Sequence, residues 1–271
     1  MLIAQISDTH IKPAGKLAYG RVDTAPALAA CVAAIAALER QPDLVLATGD
    51  LVDQGTAEEY ARLRELLAPL GMPILPIPGN HDDRAGLRAA FADCPYLPAN
   101  GDFLLYVVDD WPVRLIALDT IVPGRPEGEL CDRRLAWLEA RLAEAPAKPT
   151  LVFMHHPPFP TGIKLMDGFG LANAARFAAV IAKHKQVERI VAGHVHRSIQ
   201  ARVGGTVASI CPSTAHQMEL DISGGKTGFM LEPAGYQLHL WHENILVTHT
   251  AVVGGFPGPY PFFDATGRVV Q

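Results

Sequence analysis

Five apolar runs in this chain each stop at side chains that ligate metals or move protons. Leu2–Ile6 is followed by Ser7-Asp8-Thr9-His10, Asp43–Ala47 by Thr48-Gly49-Asp50, and Ile74–Ile77 by Pro78-Gly79-Asn80-His81-Asp82. Leu151–Met154 runs into His155-His156-Pro157-Pro158, and Glu188–Ala192 into Gly193-His194-Val195-His196. Residues two apart on an extended chain share a face, so Asp8 with His10, and His194 with His196, can each aim two donors at one point. In open α/β sheets, ligands gather outside the carboxyl ends of the strands. Carboxylate, amide oxygen and imidazole, with no thiolate among them, suit Mn, Fe, Co, Ni or Zn. Eight candidate donors exceed what one tetrahedral ion takes. Two ions about 3.5–4 Å apart, sharing one carboxylate, use them better.

The elements that position these donors follow from hydrophobic periodicity. The donor-bearing runs read as strands. Helices are expected at Thr24–Arg40 with Thr24 as N-cap, at Thr56–Leu70 with a Thr56/Glu59 capping box, and at Asp83–Phe91, Asp132–Glu144 and Ala172–His184. Phe103–Val108 and Val113–Leu118 read as strands joined at Asp109-Asp110, and Ile199–Val203 and Val207–Ile210 as a hairpin about Gly204-Gly205. Later strands fit Phe229–Leu231, Gln237–Trp241 and Ile245–His249, before an irregular FPGPYPFF tail. Alternating strands and helices argue for α/β layers, and the late strands for a second sheet packed on the first.

Composition narrows the partners. The 271 residues are 49% hydrophobic and 19% charged, which is ordinary for a globular chain. A net charge of -5 without any Lys/Arg block disfavours a nucleic-acid surface. The opening MLIAQISDTH lacks a basic leader, and no apolar run reaches membrane-spanning length, so the expectation is a cytoplasmic protein without membrane contact. Cys31, Cys94, Cys131 and Cys211 are scattered, without zinc or redox spacing, and read as four unpaired thiols.

The ordered set DTH, GD, GNHD, HHPP and GHVH resembles the calcineurin-like metallophosphoesterase family. That resemblance implies a four-layer αββα sandwich, the metallo-dependent phosphatase fold, with a dinuclear site at its centre. It implies that Asp8, His10, Asp50 and His196 hold one metal, and that Asp50, Asn80, His155 and His194 hold the other, with Asp50 bridging. His81 would stand beside the site as the catalytic imidazole. ISDTH followed by Tyr19-Gly20, the MHHPP, and Ser213-Thr214-Ala215-His216-Gln217 resemble one branch, the class III cyclic-nucleotide phosphodiesterases and bacterial glycerophosphodiesterases. The branch implies homo-oligomers whose C-terminal segments reach the active-site entrance. On this basis residues 1–212 form the catalytic core. Residues 213–271 complete the sandwich and act as a small cap or dimerising segment.

The function so implied is hydrolysis of small phosphodiesters, glycerophosphodiesters or 3′,5′-cyclic nucleotides, by hydroxide generated at Fe, Mn, Zn or Co. Two divalent ions, less two carboxylates and one hydroxide, leave a single positive charge, which a diester anion neutralises. The alternatives are a phosphomonoesterase or protein phosphatase on the same scaffold, and a non-catalytic metal-binding protein. Tyr19, His81 and His216 are the candidate substrate contacts. Asp82 and Asp83 are expected to cap the helix near Arg84, with Asp82 or Asp53 also able to orient an imidazole. His156 is expected in a structural role, and His239, His242 and His249 on a sheet surface or interface. Gly49, Gly79 and Gly193 are expected to permit unusual angles or close approach.

Overall fold

The computed structural model describes residues 1–224 and 228–270. In chain order the strands of its two large sheets are Leu2–Ile6 (β1), Leu44–Thr48 (β2), Ile74–Ile77 (β3), Tyr106–Val108 (β4), Arg114–Leu118 (β5), Thr150–Met154 (β6), Val187–Ala192 (β7), Ile199–Val203 (β8), Thr206–Ile210 (β9), Gly235–His242 (β10) and Ile245–Val252 (β11). The α-helices are Thr24–Ala36 (α1), Ala57–Leu67 (α2), Arg84–Ala90 (α3), Asp132–Glu144 (α4), Lys164–Gly168 (α5) and Ala174–Ala182 (α6). One sheet has five strands in the order β11-β10-β1-β2-β3, and the other six in the order β8-β9-β7-β6-β5-β4. β1 to β3 are mutually parallel, as are β5, β6, β7 and β9, while the remaining strands are antiparallel additions.

β1, β2, β5 and β6 are buried along their whole length, because both faces of these parallel strands are covered. The period-two alternation then assigns the layers. Ile3, Leu44, Leu46 and Ile77 meet Leu115, Leu151, Phe153 and Val191 between the sheets. The opposite set, Ala4, Ile6, Val45 and Ala47, packs under Leu28, Val32 and Ile35 of α1 and Leu63 and Leu67 of α2. On the far side Ile116, Leu118, Val152 and Ile190 pack under Leu135, Leu138 and Leu142 of α4 and Phe177 and Ile181 of α6. The result is the expected αββα order of layers. Among the described residues no helix is long and apolar enough to cross a membrane, and the four cysteines are free.

The inter-sheet layer is not wholly apolar. Gln5 Nε2 donates to Thr48 Oγ1 at 2.9 Å and to the Ala192 carbonyl of the opposite sheet at 3.0 Å. Gln237 Nε2 donates to Ile210 O at 3.0 Å, and Ser209 Oγ to Gln237 Oε1 at 3.2 Å. His239 completes this seam, with its ring nitrogens against Thr248 Oγ1 and Gln5 Oε1. This corrects the expectation of a surface role: His239 is fully buried, whereas His242 and His249 are exposed. Burial, with Arg189 adding to it, holds the His239 ring down to about 3, so it is neutral in the core.

Other differences have local causes. α1 stops at Ala36 because the Gln41 side chain takes the carbonyls of Ala36 and Leu38. Thr24 does not cap it; Asp23 holds that position, and Thr24 Oγ1 donates to His10 O at 3.0 Å. The Thr56/Glu59 capping box is present. β4 begins only at Tyr106 because Leu104 N donates to Asp119 Oδ2 instead of a neighbouring strand. The tail lies open, with Phe256, Tyr260, Phe262 and Phe263 each more than half exposed.

Candidate metal centre

The backbone around the donors is strained in one consistent way. Asp8, His10, Asp50, His194 and His196 all have positive φ, between 43° and 72°. Non-glycine residues pay roughly 1–3 kcal/mol each for such angles, and these persist where a site over-determines them. The turns are held by the chain itself: Asp8 N donates to Gly49 O, His10 N to Asp50 O and Gly193 N to His155 O, at 2.9–3.0 Å. Three glycines make the close packing possible. A Cβ on Gly79 would stand 2.2 Å from Asp50 Oδ1, one on Gly193 1.9 Å from Ser7 Oγ, and one on Gly49 2.5 Å from His155 Nδ1.

The turns bring the donors from both sheets together. His10 Nε2 faces His196 Nε2 at 3.1 Å, and His196 Nε2 lies 3.4 Å from Asp8 Oδ1. Asp50 Oδ2 stands 3.7 Å from His10 Nε2 on one side and 3.4 Å from His155 Nε2 on the other. His155 Nε2 is also 3.3 Å from Asn80 Oδ1. Asp8, His10 and His196 form one group with donor atoms within 4.8 Å of one another, and Asp8, Asp50 and His155 form a second.

Backbone carbonyls set which ring nitrogen is left for a ligand. His155 Nδ1 is bound to Thr48 O at 2.8 Å and His196 Nδ1 to His216 O at 3.0 Å, which turns each Nε2 toward the carboxylates. His194 is the reverse: its Nε2 is bound to Phe169 O at 3.0 Å, leaving Nδ1. His81 Nδ1 is bound to Asp53 O at 2.9 Å, and His81 N donates to Asp50 Oδ1 at 2.9 Å. His10 Nδ1 is buried without a hydrogen-bond partner, and four imidazoles converge with two buried carboxylates and the Asn80 amide oxygen, so the donor set fits metal.

The neighbouring candidates separate cleanly. His156 lies close enough to His155 and His194 to form a third geometric group, but Thr120 Oγ1 and Pro126 O occupy both its nitrogens. Asp83 caps α3 by accepting from Gly86 N. Asp82 does not, contrary to expectation; it accepts from Gly79 N, Leu51 N, Val52 N and Tyr60 Oη, tying two donor loops together. Asp53 pairs with Lys12 and lies 3.8 Å from His10 Nδ1.

A model of the calcineurin-like phosphoesterase family matches residues 1–198. The chain belongs to that family. It is 41% identical over its full length, and the relative's, to a probable glycerophosphodiester phosphodiesterase GpdQ of Arcobacter nitrofigilis. It is 34% identical to the 3′,5′-cyclic adenosine monophosphate phosphodiesterase CpdA of Escherichia coli, over 80% of this chain and 77% of that one. Among solved structures, a dimetal phosphatase from Danio rerio superposes with a TM-score of 0.69 at 15% identity, covering 93% of this chain and 98% of the other.

In this calcineurin-like phosphoesterase His10, Asp50, Asn80, His194 and His196 line a cavity of about 300 Å³. Tyr19, His81 and His216 line it. Pro126, Leu165, Met166, Phe169, Met218 and Phe229 line it as well. None of these six is among the residues expected at the site from the sequence; Leu165 and Met166 lie on α5 and Phe229 in one of the expected late strands. Tyr19, 57% exposed, sits at the mouth against His216 and Phe229, with ring centres 5.3 and 5.2 Å away. No described residue of the tail reaches the cavity.

Electrostatics prepare the donors. Burial alone would raise Asp8 and Asp50, but the imidazoles opposite, His196 and His155 foremost, hold both carboxyls below the ordinary range. Burial pushes His10 and His194 down to about 3, so both are neutral and ready to ligate. His155 differs: burial opposes its charge, but Asp50 and Asp8 outweigh it and lift the ring to about 9. At neutral pH a cation at His155 therefore displaces a proton. We expect metal uptake there to release roughly one proton per chain at pH 7, with affinity rising as pH approaches 9. Calorimetric titration in buffers of different ionisation enthalpy measures this, and a buffer-independent heat would contradict it.

Proposed function

We propose that the chain hydrolyses small phosphodiesters at two metal ions. In this reading Asp8, His10, Asp50 and His196 hold one ion, Asp50, Asn80, His155 and His194 hold the other, and Asp50 bridges. The observation that carries it is the place of Asp50 Oδ2, between His10 Nε2 at 3.7 Å and His155 Nε2 at 3.4 Å. Divalent ions held there would supply charge against the phosphoryl oxygens and would lower the pKa of water to about 7. Oxygen and imidazole donors suit Fe, Mn, Zn or Co.

The chain's own groups complete the chemistry. The Asp53 carbonyl fixes His81 by its Nδ1, which turns Nε2 to the cavity, where a protonated ring hands its proton to the departing alkoxide. Burial works against that charge, but Asp50 and the Asp53 carbonyl outweigh it and raise His81 above its ordinary range. Tyr19 and Phe229 offer a flat apolar wall to one arm of the diester, and Leu165, Met166 and Phe169 to the other. Among the described residues no arginine or lysine lines the cavity. A monoanionic diester suits that lining better than a dianionic monoester, which weighs against a monoesterase or protein phosphatase. The relatives' names support the same class, glycerophosphodiesters and 3′,5′-cyclic nucleotides.

The test is turnover by metal-loaded protein. Bis(p-nitrophenyl) phosphate is expected to be cleaved faster than p-nitrophenyl phosphate, and glycerophosphodiesters or cyclic AMP faster than simple monoesters. His81→Asn should keep its metal content and lose about 100-fold or more in kcat. Preference for the monoester would favour the monoesterase, and no turnover with any of the four metals a purely binding role. The exposed Phe256, Tyr260, Phe262 and Phe263 further support self-association through the tail. Light scattering should then find a dimer or larger species, and a monomer at micromolar concentration would refute it.

A further inference from the structure

The connection between β6 and α6 folds back over the centre as a compact turn. Asp167 is its clasp: Oδ1 accepts from Thr161 N at 2.6 Å and Thr161 Oγ1 at 2.8 Å, and Oδ2 from Gly162 N at 3.0 Å. The Asp167 amide returns to Ile163 O at 2.9 Å, and Phe169 N bonds Met166 O at 3.0 Å, so the turn ends with its geometry fixed. Its inner side is apolar. Ile163 and Met166 pack in one small cluster with Val195, the residue between His194 and His196. Its last carbonyl, on Phe169, meets His194 Nε2 at 3.0 Å. Asp167 itself is exposed and contributes nothing to the main core.

We propose that this Asp167-clasped turn is a positioning element for the second metal position: it fixes the His194 ring so that Nδ1, not Nε2, is offered to the ion. The inference rests on the dinuclear reading above. Among the proposed ligands, His155 takes its carbonyl from buried Thr48 at the end of β2 and His196 from buried His216, whereas His194 takes it from Phe169 on the Asp167-clasped turn. Loosening the clasp frees the Phe169 carbonyl, and the imidazole can then rotate or change tautomer. Asp167 is thus a positioning residue two steps from the ion. The same turn carries Leu165, Met166 and Phe169 into the cavity wall, so one device sets both a ligand and a substrate contact.

Metal titration of apo protein, by calorimetry and by the absorption of added Co²⁺, tests this on Asp167→Ala, Asp167→Asn and Thr161→Val. Losing an outer partner of a ligating histidine costs about 10- to 100-fold in metal affinity. We expect that loss at the weaker of two resolved binding events in D167A, a smaller loss in D167N, and the least in T161V. The tighter event and the melting temperature of the apo protein should move little. Unchanged affinities in D167A, or an equal fall at both positions, overturns the inference while leaving the dinuclear reading intact. A single binding event in the unmodified protein overturns the dinuclear reading itself. If D167A does not fold, the order D167N below T161V below native at the weaker event still decides, and its absence refutes the positioning role.

Discussion

Asp50→Ala is expected to lower kcat by roughly 10³-fold or more and to leave at most one ion per chain. In the proposed arrangement Asp50 stands between the two positions: its Oδ2 lies near His10 and His155, while its Oδ1 accepts from the His81 amide. Removing it takes a charge from both positions and releases the loop that carries Asn80 and His81. Asp50→Asn separates the two effects. It keeps the shape and the bond from His81 N but removes the charge, so it should retain the fold while still losing the second ion. Metal analysis after gel filtration, beside steady-state kinetics, reads both. Two ions per chain in D50A, with activity within tenfold of native, would remove the bridging role.

Gly193→Ala should be among the most damaging single-methyl changes in the chain. The added Cβ would sit 1.9 Å from Ser7 Oγ, 2.8 Å from Asp8 Oδ2 and 2.9 Å from Thr48 O. The backbone cannot withdraw, because Gly193 N is bonded to His155 O and His194 N to both Asp8 oxygens. Overpacking of this kind costs about 3 kcal/mol, a fall in Tm on the order of 6–12 °C for a chain of this size. It also drives Asp8 and His194 from their places, so metal content should drop with stability. Ser7→Ala in the same chain removes the nearest clash and should recover part of the loss. A Tm within about 2 °C of native for G193A alone would show that the strand ends are looser than the contacts require.

What was legible in the sequence was chemistry tied to regular elements. Donors at the ends of apolar runs carry their own address, because a parallel strand buried on both faces has nowhere to put Asp8 or His194 except beyond its last residue. The Thr56/Glu59 box and the Asp83 cap are equally local. What escaped depended on partners distant in sequence. His239 looks like any late-strand polar residue until β10 is placed beside β1, where the Gln5 side chain reaches it. Phe169 offers only a carbonyl, which no residue type announces. Asp82 resembles a helix cap because Asp83 beside it is one, yet its carboxylate serves three amides and a phenol hydroxyl.

The hydrogen-bonded seam between the sheets has a consequence for the centre above it. Greasy layers attract without preferring any one alignment, and two flat apolar faces can slide by part of a residue at little cost. Here the proposed metal donors are divided, Asp8, His10, Asp50 and Asn80 following one sheet and His155, His194 and His196 the other. Any such slip would open the gap between the two halves of the clasp. Gln5 grips Ala192, the last residue before Gly193, and Gln237 grips Ile210, so polar pins index one layer against the other. The fold thereby works as a vernier, in which a few buried amides far from the proposed centre hold the distances between its two halves.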